Sequence, residues 1–401
     1  MAVPAISDVD VTGKVLVVRA DLNVPMQDGK VSDATRITRF AAGMKPLLAK
    51  GARLVVLSHF GRPRGQVVPE MSLARIKDDL ADALGVPVAF VAASTGAQAE
   101  AAARALQDGE VLLCENLRFD PREEANDAEM GKALAALGDI YVNDAFSCAH
   151  RAHASTAAIA EFLPSYAGPL LKTEIDALTA ALEDPERPSV AIVGGAKIST
   201  KIPVLKNLVS KLDAVIIGGA MANTFLFVDG APMGKSLHET DQADTVREIR
   251  ALAEKSGCRV LLPADVRCGA EFRAGIEAVV TDASSCPDDL MILDAGPKAV
   301  AEFAQVLDGA KTILWNGPLG AFEIPPFDAG TTALAKHAAG LAKAGRAVAV
   351  AGGGDTVSAL IHAGVADDFT YVSSAGGAFL EWLEGKTLPG IAALERSAQN
   401  A

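Results

Sequence analysis

The stretch VLVVRADLNVP, residues 15–25, is an unbroken aliphatic run that ends in charged and turn-forming residues. Valine and leucine in succession, without polar alternation, fit a strand buried on both faces, as in parallel sheets. ARLVVLSHFGRP (52–63), EVLLCENLRF (110–119) and DIYVNDAFSCAHRAH (139–153) read the same way, each as a strand followed by a loop. Loops leaving the carboxyl ends of parallel strands line one edge of the sheet, and ligands bind along that edge. Arg36, His59, Arg62, Arg118, His150, Arg151 and His153 follow these runs. Cations from separate loops would therefore converge on one small anion. A single Arg or His after a strand is ordinarily a solvated loop residue; the clustering, with HRAH at 150–153, is what points to a site.

Outward from these segments, strands are expected at 15–19, 53–58, 87–91, 110–115 and 139–143, then at 190–194, 214–218, 259–263, 291–294, 312–315, 347–351 and 369–373. Ala/Leu-rich helical stretches such as 39–50, 72–84, 97–107 and 127–137 fill the gaps. Strands alternating with helices predict βαβ units, parallel sheets and the α/β class. A chain of 401 residues exceeds what one core usually serves, so two domains are expected. Near 164–189 the rhythm breaks, with prolines flanking one amphipathic run at 171–183, which reads as a helix joining the domains.

Composition narrows the function. The net charge is −13, which argues against a nucleic-acid partner or an anionic membrane surface. Cys114, Cys148, Cys258, Cys268 and Cys286 are odd in number and widely spaced, which fits reduced thiols rather than disulfides or zinc. The start MAVPAISDVD lacks the features of a signal peptide, and no apolar run reaches the length of a membrane span. A cytosolic metabolic protein is the expectation.

The second half ends its strands in glycine: VGGAKISTK (193–201), IIGGAMANTF (216–225), LWNGPLGAFE (314–323) and AVAGGGDTVSA (349–359). One glycine pair at a strand end is ordinarily a tight turn; four in one half point to a bound phosphate. In the last, Gly352–Gly354 would expose backbone N–H groups at a helix start, and Asp355 is placed to hold Mg²⁺, which takes carboxylate and phosphate oxygens. Gly234-Lys235-Ser236 is not a P-loop, because Asp229 stands where the first glycine is required. The first half suits an anionic substrate, the second a nucleotide.

RADLNVP, SHFGRP, ENLRF, NDAF with AHRAHAS, AGPLLKTEI, VGGAKISTK, WNGPLGAFE and GGGDT occur in that order. From about residue 10 to 385 the chain resembles the phosphoglycerate kinase family, which moves a phosphoryl group between 1,3-bisphosphoglycerate and ADP. The resemblance implies a hinge-bending monomer of two Rossmann-like domains, each a parallel β-sheet flanked by helices. These would be residues 1–168, with a tail at about 386–401 packing back on them, and residues 169–385 including the interdomain helix. It implies 3-phosphoglycerate binding by Asp21, Asn23, Arg36, His59, Arg62, Arg118 and Arg151. It implies Mg-ATP or Mg-ADP binding by Lys201, Glu323 and Gly353, Gly354, Asp355 and Thr356, with Gly218 and Gly219 near the adenine. Arg36 and Lys197 are expected to grip the migrating phosphoryl, one from each domain. Two other readings share features of the chain: a non-catalytic two-domain protein closing on an anion, and a kinase acting on another carboxylate. A pure binder has no need of GGGDT or of the Lys197/Lys201 pair, and the arginine-rich segments favour a substrate bearing both phosphate and carboxylate.

Overall fold

Aliphatic strands with both faces buried stack side by side when helices cover each face, and the chain does this twice. In the computed structural model, which describes residues 3–400, the first sheet runs Val88–Val91, Val111–Cys114, Arg53–Leu57, Val15–Arg19, Ile140–Asn143, Ser165–Ala167, all parallel. Arg19 stands level with Leu57 on one side and Asn143 on the other, so three loops leave from the same height. The strand order reverses around Val15–Arg19, and ligands bind outside such a switch point. The second sheet runs Arg259–Leu261, Ala214–Ile217, Ser189–Val193, Thr312–Asn316, Val348–Gly352, Tyr371–Ser373, again all parallel. Its order reverses between Ser189–Val193 and Thr312–Asn316.

The strand expected at 291–294 forms, as Met291–Ala295, but outside the parallel sheet. It pairs antiparallel with Asp265–Gly269, which also pairs with Val279–Asp282. The links between these strands are too short for the crossover helix that parallel pairing needs. Neither Asp265–Gly269 nor Val279–Asp282 is marked by the sequence pattern, and Ser165–Ala167 is likewise unmarked. The amphipathic run near 171–183 is helical from Pro169 to Leu178 and continues as a π-helical turn, Thr179–Glu183.

Contacts divide the chain into two units, Met1–Ile175 with Thr387–Ala401, and Asp176–Lys386. The division falls inside the helix Pro169–Leu178. In the first unit the helix Pro389–Asn400 lies against the turn Ala158–Glu161 and the strand Ser165–Ala167. Gly390 N donates to Ala149 O at 2.9 Å, and Ile391, Ala393 and Leu394 are buried. No helix among the described residues is long and apolar enough to cross a membrane. All five cysteines are free and buried.

Buried aspartates start several helices. Asp144 Oδ1 accepts from Leu170 N at 2.7 Å and Leu171 N at 3.3 Å. Asp265 accepts from Lys298 N and Ala299 N, and Asp294 Oδ2 from Gly330 N at 2.6 Å. Each carboxylate satisfies amide groups that a helix start leaves without partners. Burial pushes Asp144 up to about 7, with its two amide donors pulling the other way.

A carboxyl raised in the folded state binds more protons there than when unfolded. Its stabilising contribution is therefore complete below the ordinary range and is lost as pH rises through about 7. Asp144→Asn keeps an acceptor oxygen and should lose less stability than the parent chain between pH 5 and 8, while Asp144→Ala should cost about 1 kcal/mol or more at any pH. Denaturant midpoints across that range check both outcomes.

Candidate functional site

The segments after four strands of the first sheet, Val15–Arg19, Arg53–Leu57, Val111–Cys114 and Ile140–Asn143, meet at one cavity of about 270 Å³, lined by Asp21, Asn23, Arg36, His59, Gly61, Arg62, Arg118, Ser147, Cys148 and Arg151. All seven residues expected to bind the acid are thus together. Asp21 and Asn23 follow the strand Val15–Arg19, and His59 and Arg62 follow Arg53–Leu57. Arg118 sits in the 3₁₀ turn Leu117–Phe119, and Arg36 in the first turn of the helix Thr35–Ala49. Asn116 ties the loops: its Oδ1 accepts from Phe60 N and Arg118 N, and its Nδ2 donates to Phe60 O and Met71 O.

Backbone carbonyls and one carboxylate each hold Arg36 and Arg118 in place. Arg36 Nη1 donates to Asn23 O at 2.9 Å and pairs with Asp21 Oδ2 at 2.9 Å. Asp21 also accepts from Ser147 Oγ. Arg118 Nη1 donates to Gly61 O at 2.9 Å, and its Nε lies 3.4 Å from Glu124 Oε1. Asn23 Oδ1 accepts from Gly61 N. Four arginines against the single lining carboxylate of Asp21 leave the cavity positive and rich in paired donors that match carboxylate and phosphate oxygens. Burial, with Arg19, Arg118, Arg151 and Arg36 around it, holds His59 well below the usual histidine range.

The HRAH segment divides its roles. Arg151 lines the cavity and donates through Nε to His150 Nε2 at 3.2 Å. His153 turns away: it is buried, its Nδ1 is 3.8 Å from Glu123 Oε1, and burial lowers it to about 4. Sequence patterns did not single out Arg19, which reads as the end of a strand and is fully buried, nor Ser147 in the lining; Cys148, beside the HRAH segment, lines the cavity too.

In the second unit a cavity of about 520 Å³ opens at the switch point of the sheet. Gly218, Gly219, Glu323 and Asp355 line it, together with Leu237, Phe272 and Leu319 on an apolar side. Just behind the lining residues Gly195 and Pro318, backbone packs against backbone. A Cβ at Gly317, where φ is +111°, would overlap Gly194 O, so only glycine lets these two loops touch. Lys201 lies against these loops: Nζ donates to Gly194 O at 2.8 Å, Asn316 O at 3.1 Å and Asn316 Oδ1 at 2.7 Å. Burial lowers it to about 8, against the pull of Asp355. Thr356 is buried, with Oγ1 accepting from Gly317 N at 2.7 Å. Asn316, which the sequence patterns did not single out, joins both ends by donating from Nδ2 to Gly352 O at 2.8 Å.

Gly353, with φ +98°, turns the chain into the helix Gly354–His362, and Gly354 and Asp355 are exposed at its start. Lys197 is exposed just before the turn Ile198–Thr200. Lys197, Lys201, Gly353, Gly354 and Thr356 do not line the cavity wall; Lys201 and Thr356 brace the loops that do. Lys235 and Ser236 of the failed P-loop line it instead, from the segment after the helix Gly219–Val228. The residues suit Mg²⁺: Asp355 supplies one exposed carboxylate beside free helix-start amides, and this ion is commonly held by one or two carboxylates plus nucleotide phosphates and water.

Comparison with known proteins bears on the pair of cavities. The model of the family described as phosphoglycerate kinase matches residues 6–386. Over 390 residues the chain is 56% identical to the phosphoglycerate kinase of Ruegeria sp., covering 97% of this chain and 98% of that one. Identity to the Caulobacter vibrioides enzyme of the same name is also 56%, over 96% of this chain and 98% of the relative. Among solved structures, phosphoglycerate kinase from Coxiella burnetii superposes with a TM-score of 0.92 at 40% identity, covering 98% of this chain and 99% of that one. The Pyrococcus horikoshii phosphoglycerate kinase gives 0.77 at 28% identity, over 99% and 100% of the two chains. With two parallel six-stranded sheets and similarity along nearly its whole length, the chain belongs to the phosphoglycerate kinase family.

Proposed function

We propose that the chain catalyses reversible phosphoryl transfer between 1,3-bisphosphoglycerate and ADP, giving 3-phosphoglycerate and ATP. The acid binds in the arginine-lined cavity of the first unit and the nucleotide in the glycine-lined cavity of the second. The observation that carries this reading is the 270 Å³ cavity with Arg36, Arg62, Arg118 and Arg151 around it, sized and charged for a short acid bearing phosphate and carboxylate. Family membership makes the chain a phosphotransferase acting on a carboxyl group.

Phosphoryl transfer needs in-line alignment and neutralised charge, with little covalent help. The carboxylate leaving group of an acyl phosphate needs no proton at neutral pH, so no general acid or base is required. Arg36 and Lys197 grip the migrating phosphoryl from the two units. Asp355 would hold Mg²⁺, which when bound would screen the charge of the nucleotide phosphates. Gly353, Gly354 and Thr356 shape the phosphate loop, Lys201 and Glu323 bind nucleotide, and Gly218 with Gly219 bounds the base. Because the substrates bind on separate units, transfer follows closure, which also keeps water from the acyl phosphate. The protein works as a monomer in the cytoplasm, with no nucleic-acid or membrane partner.

The test is a coupled assay with 3-phosphoglycerate, ATP and Mg²⁺, reading 1,3-bisphosphoglycerate through its NADH-dependent reduction. Turnover should require Mg²⁺ and fall to assay background in Asp355→Ala; Mg²⁺-dependent turnover unchanged in that variant would remove Asp355 from the site. Arg36→Ala should fold normally and lose about 10³-fold in kcat, the scale of removing an arginine that stabilises transferring phosphoryl charge. Near-parental turnover would exclude Arg36 from the transition state.

A further inference from the structure

Arg19 is a fully buried cation that the proposed reaction does not use, and a buried charge is tolerated only when its donors are met. Its Nε donates to Ser155 Oγ at 2.9 Å, and Nη1 donates to Ala20 O. Ser155 Oγ donates onward to Glu123 Oε1 at 2.6 Å, and Ser155 N donates to Oε2 at 3.0 Å. The countercharge of Arg19 is thus reached through one hydroxyl, on a carboxylate that is itself 1% exposed. The remaining arm, Nη2, lies 3.1 Å from His59 Nδ1 and 3.6 Å from Cys148 Sγ.

A guanidinium has five donors and no acceptor. The atom facing Nη2 must therefore bring a lone pair, so His59 Nδ1 is the unprotonated nitrogen and the ring proton sits on Nε2. Cys148 Sγ, 3.9 Å from the same Nδ1, is compatible with that choice, since a thiol can donate to a ring lone pair. The other charged groups around the ring are Arg36, Arg118 and Arg151, with Asp21 across the cavity, itself engaged by Arg36 and Ser147. The cations oppose a second proton on His59.

We propose that Arg19 is a positioning residue for the phosphotransfer reaction: from beneath the cavity it holds His59 as the neutral Nε2–H tautomer, so that the ring offers a donor, never a lone pair, to the anionic acid. The opposite tautomer would set a lone pair against an anion's oxygen and turn an attraction into a repulsion. This rests on the reading of the cavity as the 3-phosphoglycerate site.

The tautomer can be read in the free full-length chain, before any substrate enters, by long-range proton–nitrogen NMR on protein labelled only at its 6 histidines. The His59 signals are assigned by their loss in His59→Gln. A pyridine-type Nδ1, a protonated Nε2 and no titration between pH 8 and 5 are expected. A protonated Nδ1, or a ring titrating near the ordinary value of about 6.5, would overturn the proposal. The variant Arg19→Met/Glu123→Gln removes the cation without stranding its carboxylate. In it the His59 signals should become a tautomer mixture and titrate nearer the ordinary range. KM for 3-phosphoglycerate should rise by about tenfold, the loss of one oriented hydrogen bond to a charged group, with KM for ATP unchanged. A ring still locked as Nε2–H in that variant would overturn the role of Arg19 even if KM rose, because a merely structural defect raises KM without freeing the tautomer. If the double variant does not fold, the parent-chain spectrum still decides. A 3-phosphoglycerate KM unmoved by Arg118→Ala would instead sink the substrate reading, and the proposal with it, whatever the tautomer.

Discussion

A cation held by a backbone carbonyl is fixed in place without being neutralised, and both cavities depend on that. Arg36 on Asn23 O, Arg118 on Gly61 O, Arg19 on Ala20 O and Lys201 on Gly194 O and Asn316 O all use such carbonyls, with Asp21 and Glu124 as additional, partial countercharges on Arg36 and Arg118. A carboxylate in each place would orient the side chain as well but would spend its charge. Carbonyl dipoles at the carboxyl edge of a parallel sheet are available because the strands end there and their loops have yet to fold back. The switch points of the two sheets therefore supply at once the space for a ligand and the acceptors that aim cations into it.

The two units solve the problem of an anionic ligand differently. In the first, side chains make the surface, and the loops are spaced by polar ties such as Asn116 and Ser58, whose Oγ accepts from Leu22 N at 3.0 Å. In the second, backbone makes the surface, and glycine lets the loops after Ser189–Val193 and Thr312–Asn316 touch directly. Side chains give charge and shape selectivity for a small acid; backbone amides and an apolar wall suit a ligand with a phosphate end and a flat base.

What the sequence showed and what it hid divide along burial. Aliphatic runs such as VLVVR and SVAIV announce strands because both faces must be apolar, and the cavity residues announce themselves as cations placed just beyond those runs. The supporting layer gives no such signal. Arg19 reads as the edge of a strand; only the alignment with Leu57 and Asn143 shows it lies inside. His153 carries the same chemical label as His59 and yet faces Glu123, because the chain turns between Arg151 and His153 and nothing in HRAH encodes the direction. The small antiparallel sheet escaped for another reason: DVRCG at 265–269 and VVTD at 279–282 are short and mix charged with apolar residues, and Val279 and Val280 are exposed.

The helix Pro389–Asn400 has a consequence in time. It belongs to the unit whose main body, up to Ile175, is synthesised before Asp176. On the ribosome that unit must wait, its Ala149 carbonyl and the face of Ala158–Glu161 uncovered, while the whole of the contiguous second unit emerges. The part of the chain made first is therefore completed last, after its neighbour has every residue it needs. Closing so long a loop adds only a logarithmic entropy cost, so the delay falls on the order of assembly rather than on final stability. A nascent chain stalled between Lys386 and Pro389 would hold every residue of the second unit but not the helix that completes the first, with the anion cavity mounted on the unfinished one.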